Sequence, residues 1–303
     1  MKVTVVGIGK VGSTLAFALS LRRFVTELVL VGRSADRARG EALDLQHAQA
    51  FVEAPGQITA GGVPESAGSD VIALCASIPM DPAMDDRLTL GPHNVALFRE
   101  LVPPLAAASP CAVLVVVSNP VDVLTFATQE LSGFPTSRVM GTGTFVDSAR
   151  FRHLLSTEVG IHPDDLRAYV LGEHGASQFP AMSVALAGGE KIEDNAHRRQ
   201  LIAATVQAGL EVFRLKGFTN YAIAMAAAAV IEAVALDERH TIPLSVRVDG
   251  FLGVSDVCLS LPVVVGRGGV KRILHPELTA AEADQFRRSA EVVRAATRAA
   301  MAA

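Results

Sequence analysis

The sequence predicts an α/β fold in which a doubly wound parallel sheet is followed by a mixed α+β domain. The first half alternates short apolar runs with amphipathic stretches, which is typical of strands and helices that wind into a parallel sheet. Strands in such a sheet are covered on both faces and are therefore apolar throughout. Four runs have this character: Val3 to Val6, Leu28 to Val31, Val71 to Cys75 and Val113 to Val117.

The pattern changes after about residue 142. A helix is predicted near 144–160, then short strands near 167–188, helices near 195–238, further strands, and a last helix from Thr279. A chain of 303 residues exceeds one average domain. We therefore expect two domains, 1–142 and 143–303, with a cleft between them that holds the ligands.

Composition and charge exclude several classes of protein. Half of the residues are hydrophobic and the formal net charge is -4, so neither disorder nor a nucleic-acid partner is expected. The widely spaced Cys75, Cys111 and Cys258 argue against a disulfide framework and against a metal site. The longest apolar run, Tyr221 to Ile231, is shorter than the roughly 20 residues that cross a bilayer. Because the opening run is also too short for a signal peptide, we expect no membrane contact and a cytoplasmic location.

A glycine-rich turn follows the first predicted strand and opens a helix. Gly7, Gly9 and Gly12, with Lys10 and Val11 between them, form the GxGxxG pattern. Glycines at this spacing permit a tight turn, close approach of a pyrophosphate and close helix packing, while the helix amino terminus faces the phosphates. The pattern in this context predicts a Rossmann-type dinucleotide-binding domain.

The end of the second strand lacks the acidic residue that accepts hydrogen bonds from an adenosine ribose. Gly32, Arg33 and Ser34 stand there instead, and Arg37 follows. Without a carboxylate to repel it, a 2′-phosphate could bind the cation and the hydroxyl. This favours NADP over NAD, although NAD stays possible. The alternative is that Gly32 is a plain turn residue and Arg33 a solvated charge.

Two segments of the second half carry groups suited to a 2-oxo acid. Asp147 and Arg150 lie three residues apart at the start of a predicted helix, on one helix face. His174 follows a strand that ends at Leu171. A guanidinium can clamp a carboxylate and an imidazole can exchange a proton, two of the requirements of hydride transfer to a 2-oxo acid. An isolated histidine is more often structural, so its neighbours carry this interpretation.

The sequence resembles the L-lactate/malate dehydrogenase family over nearly its whole length. The matching segments are GIGKVGS from Gly7, GEALDLQH from Gly40, SNPVDVLT from Ser118, GTGTFVDSARFR from Gly141, LGEHG from Leu171, KGFTNYAIA from Lys216 and LPVVVGRGGV from Leu261. The resemblance implies a nicotinamide-dependent enzyme that interconverts a small 2-oxo acid and its 2-hydroxy acid.

The resemblance also implies roles for single residues. His174 would donate and accept the substrate proton, and Asp147 would orient it and stabilise its protonated form. Arg150 would clamp the substrate carboxylate. Asn119 would orient the substrate or the nicotinamide, unless it is only a turn cap before Pro120.

In this family a mobile loop after the third predicted strand carries an arginine that polarises the substrate carbonyl. Arg87 is our candidate, with Asn94 seven positions on among the cofactor contacts. Counting from the strand places Met80 against the variable group of the substrate, whereas counting back from Arg87 places Asp81 there. Neither supplies a cation for a second carboxylate, so oxaloacetate should be a poor substrate. Thr219 would form another wall of this pocket.

Two other functions stay open: an NADP-dependent malate dehydrogenase, and a redox sensor that binds the dinucleotide without turning it over. Related enzymes are homodimers or homotetramers, and we expect the same here. Arg152 and Arg167 match positions that bind an anionic effector in some relatives, but two solvated arginines are the alternative.

Overall fold

The computed structural model describes residues 1–78 and 87–303, and a nine-stranded sheet runs through it. Its parallel part has the order β6-β5-β4-β1-β2-β3. These strands are β1 (Lys2–Val6), β2 (Glu27–Val31), β3 (Gln57–Gly61), β4 (Val71–Leu74), β5 (Val113–Val116) and β6 (Val139–Gly141). The helices between them are α1 (Lys10–Ser20), α2 (Ala35–Ala48), α3 (Gly91–Ala108) and α4 (Val121–Ser132). This is the doubly wound order, so the predicted fold class is confirmed.

The central strands form because they can bury every side chain. All four residues of β4 and all four of β5 are buried, and both strands lie inside the main hydrophobic core. β3 differs, since it lies at the edge of the sheet and only Ile58 is fully buried. Neither β3 nor the three-residue β6 was predicted, because neither has an apolar run that distinguishes it from a loop.

The second half of the chain begins with helix α5 and ends with helix α8. Its elements are α5 (Phe145–Val159), β7 (Leu166–Arg167), β8 (Val170–Leu171), β9 (Phe179–Pro180), β10 (Leu186–Ala187), β11 (Glu190–Lys191), α6 (Ala196–Lys216), α7 (Tyr221–Leu236), β12 (His240–Asp249), β13 (Ser255–Gly266), β14 (Gly269–Ile273) and α8 (Ala280–Ala302). Thr279 caps α8 in a reciprocal capping box with Glu282, which explains why this helix begins where the sequence predicts.

The two halves share one sheet. Strands β12, β13 and β14 are antiparallel, and β12 joins the parallel part through a single pair, Ser245 with Gly141 at the end of β6. The sheet therefore continues across the predicted boundary between the halves, which the sequence did not indicate. The carboxyl ends of β1, β4, β5 and β6 lie along one edge, and the turns that follow them form the candidate site.

The described residues contain neither a membrane-spanning helix nor a cluster of metal-binding side chains. None of the helices in 1–78 and 87–303 combines the length and apolar character needed to cross a membrane. The same residues contain no group of three or more His, Cys, Asp and Glu side chains that could hold a metal ion.

Candidate active site

The turn after β1 is shaped by three glycines, each for a different reason. Gly7 has a φ of +100°, and a Cβ there would lie 2.3 Å from the backbone nitrogen of Ala76, after β4. A Cβ on Gly12 would lie 2.0 Å from the carbonyl oxygen of Gly7. Gly9 has open space on its Cβ side and caps α1 without a side-chain hydrogen bond. The turn thus presents the amino terminus of α1 to an open, exposed surface, a geometry that fits a pyrophosphate.

The end of β2 leads directly into α2. Ser34 caps this helix, and its hydroxyl accepts a hydrogen bond from the Arg37 backbone nitrogen at 3.3 Å. The side chains of Arg33, Ser34 and Arg37 are exposed. Gly32 packs tightly, since a Cβ there would lie 3.2 Å from the Cβ of Ala38. The chain therefore presents one hydroxyl and two exposed arginines between the end of β2 and the first turn of α2.

The corner between α6 and α7 contacts the glycine-rich turn. Lys10 and Lys216 lie 4.8 and 4.7 Å from the ring centre of Phe218. The Asn220 amide donates to the Thr14 hydroxyl of α1 at 2.8 Å and accepts from the Lys216 ammonium at 2.5 Å. This corner joins the two halves of the chain beside the phosphate turn. The half-buried Thr219 lies within it.

A single carboxylate holds both groups predicted to handle the substrate. Asp147, near the start of α5, contacts the His174 Nδ1 through Oδ2 at 2.7 Å and accepts from the Arg150 guanidinium through Oδ1 at 3.1 Å. The Asp147 side chain is 4% exposed, while those of His174 and Arg150 are 18% and 26% exposed. An imidazole and a guanidinium are thereby fixed relative to each other by a buried anion.

The loop that carries His174 is hydrogen-bonded to Asp122 of α4. Asp122 was not singled out in the sequence analysis. Its carboxylate accepts from the His174 backbone nitrogen at 2.7 Å and from the Ser245 hydroxyl at 2.6 Å. Burial raises the pKa of Asp122 to about 6, and the two hydrogen bonds and the nearby His174 oppose that rise. The signal was an acid inside the apolar run Val121 to Leu124, within a segment already matched to the family.

The other side of the same loop is held by Glu173 and α8. The Glu173 carboxylate accepts from the backbone and hydroxyl of Ser177, whose hydroxyl also contacts that of Ser289 at 2.9 Å. Gly172 has a φ of +88°, and a Cβ there would lie 2.6 Å from the Ser289 hydroxyl. The loop is therefore tied to α4 and α8 at once, which restricts the position of the imidazole.

Asn94 connects the segments that follow β4 and β5. It is completely buried, and its amide donates to the Asn119 carbonyl at 2.7 Å and accepts from the Ile78 backbone nitrogen at 2.8 Å. In this structure Asn94 links the segments that follow β4 and β5, and its contact with the cofactor stays a prediction. Asn119 itself is half-buried.

Three predicted residues of the loop cannot be placed. Met80 and Asp81 lie outside the described residues, and Arg87 begins a 3-10 helix but its side chain lies outside the described part.

The candidate effector residues are Arg152 on α5 and Arg167 on β7. Burial lowers the pKa of Arg152, while Arg167 is exposed and donates to the Asp164 carbonyl at 3.1 Å.

Comparison with known proteins identifies the family of both halves of the chain. A family model for the NAD binding domain of lactate/malate dehydrogenase matches residues 1–141, and one for the alpha/beta C-terminal domain of lactate/malate dehydrogenase matches residues 144–303. The chain belongs to the lactate/malate dehydrogenase family. It is therefore an oxidoreductase of the 2-hydroxy acid class with a nicotinamide cofactor, for which this family normally uses NAD.

Similar members of the lactate/malate dehydrogenase family cover nearly all of the chain. An L-lactate dehydrogenase of Synechococcus sp. is 39% identical over 97% of both chains, and L-lactate dehydrogenase A of Hordeum vulgare is 41% identical over 96% of this chain and 85% of its own. The solved minor L-lactate dehydrogenase of Enterococcus mundtii, in a ligand-bound form, is 32% identical, with a TM-score of 0.93 and 98% of each chain covered.

Proposed function

We propose that this protein reduces a small 2-oxo acid to the L-2-hydroxy acid, and catalyses the reverse reaction, in the manner of a lactate dehydrogenase. The observation that carries the proposal is the Asp147 carboxylate, which holds His174 at 2.7 Å and Arg150 at 3.1 Å. A dinucleotide-binding protein that only senses redox state has no need of a carboxylate clamp beside a buried acid–imidazole pair.

Each residue then has a defined task. Arg150 binds the substrate carboxylate through donors that it does not give to Asp147, since a guanidinium has five N–H groups. His174, held at Nδ1 by Asp147, gives the proton from Nε2 to the substrate oxygen, and the Asp147 anion stabilises the charged form that exchanges it. Asn119 orients the substrate or the nicotinamide. A nicotinamide bound at the glycine-rich turn would supply the hydride that adds to the substrate C2. Arg87 would polarise the carbonyl when the loop closes.

The preferred cofactor is NADPH in this proposal. Two features support this preference. Strand β2 ends without a carboxylate, and the start of α2 exposes Arg33, Ser34 and Arg37. A 2′-phosphate there would meet two guanidinium groups and a helix amino terminus. The exposed Asp36, in the first turn of α2, opposes the phosphate in part.

The substrate carries no second carboxylate in this proposal, because neither Met80 nor Asp81 supplies a cation. The experiment is to follow oxidation of NADPH and of NADH by the purified protein with pyruvate and with oxaloacetate. Reduction of pyruvate is expected. Vigorous reduction of oxaloacetate would indicate a malate dehydrogenase, and binding of NADPH without turnover of any 2-oxo acid would indicate a sensor.

Replacing Gly32 with aspartate is expected to lower the NADPH-to-NADH ratio of kcat/KM by about 10- to 100-fold, through repulsion of the 2′-phosphate. Steady-state kinetics with both cofactors measures it. The matched control is Gly32→Ala, which adds the same Cβ at 3.2 Å from Ala38 but no charge and should keep the ratio. A parent enzyme that uses NADH as well as NADPH would contradict the proposed preference.

We propose that the protein assembles as a homodimer or homotetramer through the face that α1, α2 and α7 present. Large apolar side chains lie exposed on these helices or, for Leu21, directly after α1: Phe17, Leu21, Leu43, Met225 and Leu236. Apolar patches of this kind mark protein interfaces. Sedimentation equilibrium should give a mass of two or four chains, and Leu21→Glu should shift it towards one chain.

A further inference from the structure

A buried amide lies against the backbone of Asn119. It belongs to Asn94, in the first turn of α3, which is completely buried. The Asn94 side-chain nitrogen donates to the Asn119 carbonyl oxygen at 2.7 Å and to the Ser77 hydroxyl at 3.1 Å. Its side-chain oxygen accepts from the Ile78 backbone nitrogen at 2.8 Å. One side chain thus joins the start of α3, the chain after β4 and the chain after β5.

The partners of this amide require an asparagine. The Asn119 carbonyl can only accept a hydrogen bond, and the Ile78 backbone nitrogen can only donate one. A side chain that serves both must therefore carry a donor towards Asn119 and an acceptor towards Ile78. An ionised aspartate of the same size has no donor, and a leucine of similar shape would leave both buried groups unpaired, which is costly.

The segment that Asn94 holds also holds the loop of the proton-transfer residue. Asn119 is followed by Pro120, the N-cap of α4, and then by Asp122, whose carboxylate accepts from the His174 backbone nitrogen at 2.7 Å. In residues 1–78 and 87–303 the side chain of the half-buried Asn119 makes no hydrogen bond. Its position therefore depends on its backbone, and the carbonyl of that backbone is bound by Asn94.

We propose that Asn94 is a positioning residue that acts through Asn119. By holding the Asn119 carbonyl, it sets the direction in which the Asn119 side chain meets the substrate or the nicotinamide. The inference rests on the proposed function, in which Asn119 has this orienting task. A displacement of about 1 Å at a reacting group can lower the rate by about 100-fold. A hydrogen bond one step removed from the substrate can therefore control turnover.

The test is the variant Asn94→Asp, which keeps the size and the acceptor for Ile78 but removes the donor to Asn119. At about pH 8, kcat/KM for pyruvate should fall by about 10- to 100-fold. The affinity for the reduced cofactor, measured by fluorescence titration, should stay nearly unchanged. Burial raises the pKa of a carboxyl group, and a protonated carboxyl group can donate to the Asn119 carbonyl. The ratio of variant to parent kcat/KM should therefore recover as the pH falls towards about 5.

A second background separates positioning from a general effect on the fold. Asn119→Ala removes the side chain that is to be positioned and should itself lower kcat/KM. Adding Asn94→Asp to it should lower kcat/KM by no more than about twofold further, because two changes that act through one group are not additive. A second loss as large as the first would overturn the inference, and so would an Asn119→Ala variant as active as the parent.

The matched control is Asn195→Asp, the same chemical change at the exposed N-cap of α6. Asn195 accepts from the Arg198 backbone nitrogen at 2.9 Å, and aspartate caps a helix about as well as asparagine. This variant should leave kcat/KM and its pH dependence unchanged. A parent protein that reduces no 2-oxo acid would overturn the proposed function, whereas an Asn94→Asp variant as active as the parent would overturn only the role of Asn94.

Discussion

Replacing His174 with asparagine is expected to lower kcat for 2-oxo acid reduction by about 10³- to 10⁴-fold, with the affinity for the reduced nicotinamide cofactor nearly unchanged. Asparagine keeps the backbone hydrogen bond to Asp122 and can still bond to Asp147, so the loop should stay in place. It cannot exchange a proton near neutral pH, so the substrate oxygen would have to take its proton from water. Stopped-flow kinetics of cofactor oxidation and a fluorescence titration with the reduced cofactor measure the two effects separately.

His153→Asn is the matched control for this variant. His153 lies on α5, the helix that carries Asp147, but it is exposed. The same chemical change there should leave kcat within about twofold, since surface changes away from a site have small effects. Turnover that survives in His174→Asn would show that another group delivers the proton, and the proposed mechanism would have to be abandoned.

Local signals made much of the fold predictable. The strands β1, β2, β4 and β5 lie at apolar runs because a parallel sheet covers both faces of each strand. The start of α8 at Thr279 is fixed by a capping box that spans only four residues. Patterns of this kind are complete within one segment, so they can be recognised without knowledge of the rest of the chain.

Contacts between distant segments were not predictable in this way. The pairing of Ser245 with Gly141 and the approach of Gly209 to Arg150 join residues far apart in the sequence. Periodicity carries no information about such neighbours. The partnership of Asp147 and His174 could be predicted only through a resemblance, and the choice between Met80 and Asp81 depends on an alignment of the loop that the sequence leaves open.

Asp122 shows how such a distant contact affects stability. Burial raises the pKa of its carboxyl to about 6, from 3.8 for an ordinary aspartate. Between about pH 4 and pH 6 the folded state therefore holds a proton that the unfolded chain has released. The stability contributed by the protonated acid falls as the pH rises through this window. Above it, the buried carboxylate lowers the free energy of unfolding by about 3 kcal/mol.

The variant Asp122→Asn is expected to raise the free energy of unfolding near neutral pH by up to about 3 kcal/mol, because it removes that buried charge. Its amide can donate to the Ser245 hydroxyl, and its carbonyl can accept from the His174 backbone nitrogen. The gain should shrink as the pH falls from 6 to 4, where the aspartate of the parent becomes protonated. Urea unfolding at several pH values and one protein concentration measures the difference.

Asp249→Asn, at the exposed end of β12, is the control and should change the free energy of unfolding by less than about 0.5 kcal/mol at any pH. A constant difference between Asp122→Asn and the parent across this pH range would refute the assignment. The stabilised variant should also turn over more slowly, since a neutral amide would hold the His174 backbone nitrogen less strongly than the carboxylate does. A buried charge that destabilises the fold yet fixes the loop of the proton-transfer residue is a compromise between stability and activity, and a gain in both would exclude that role for Asp122.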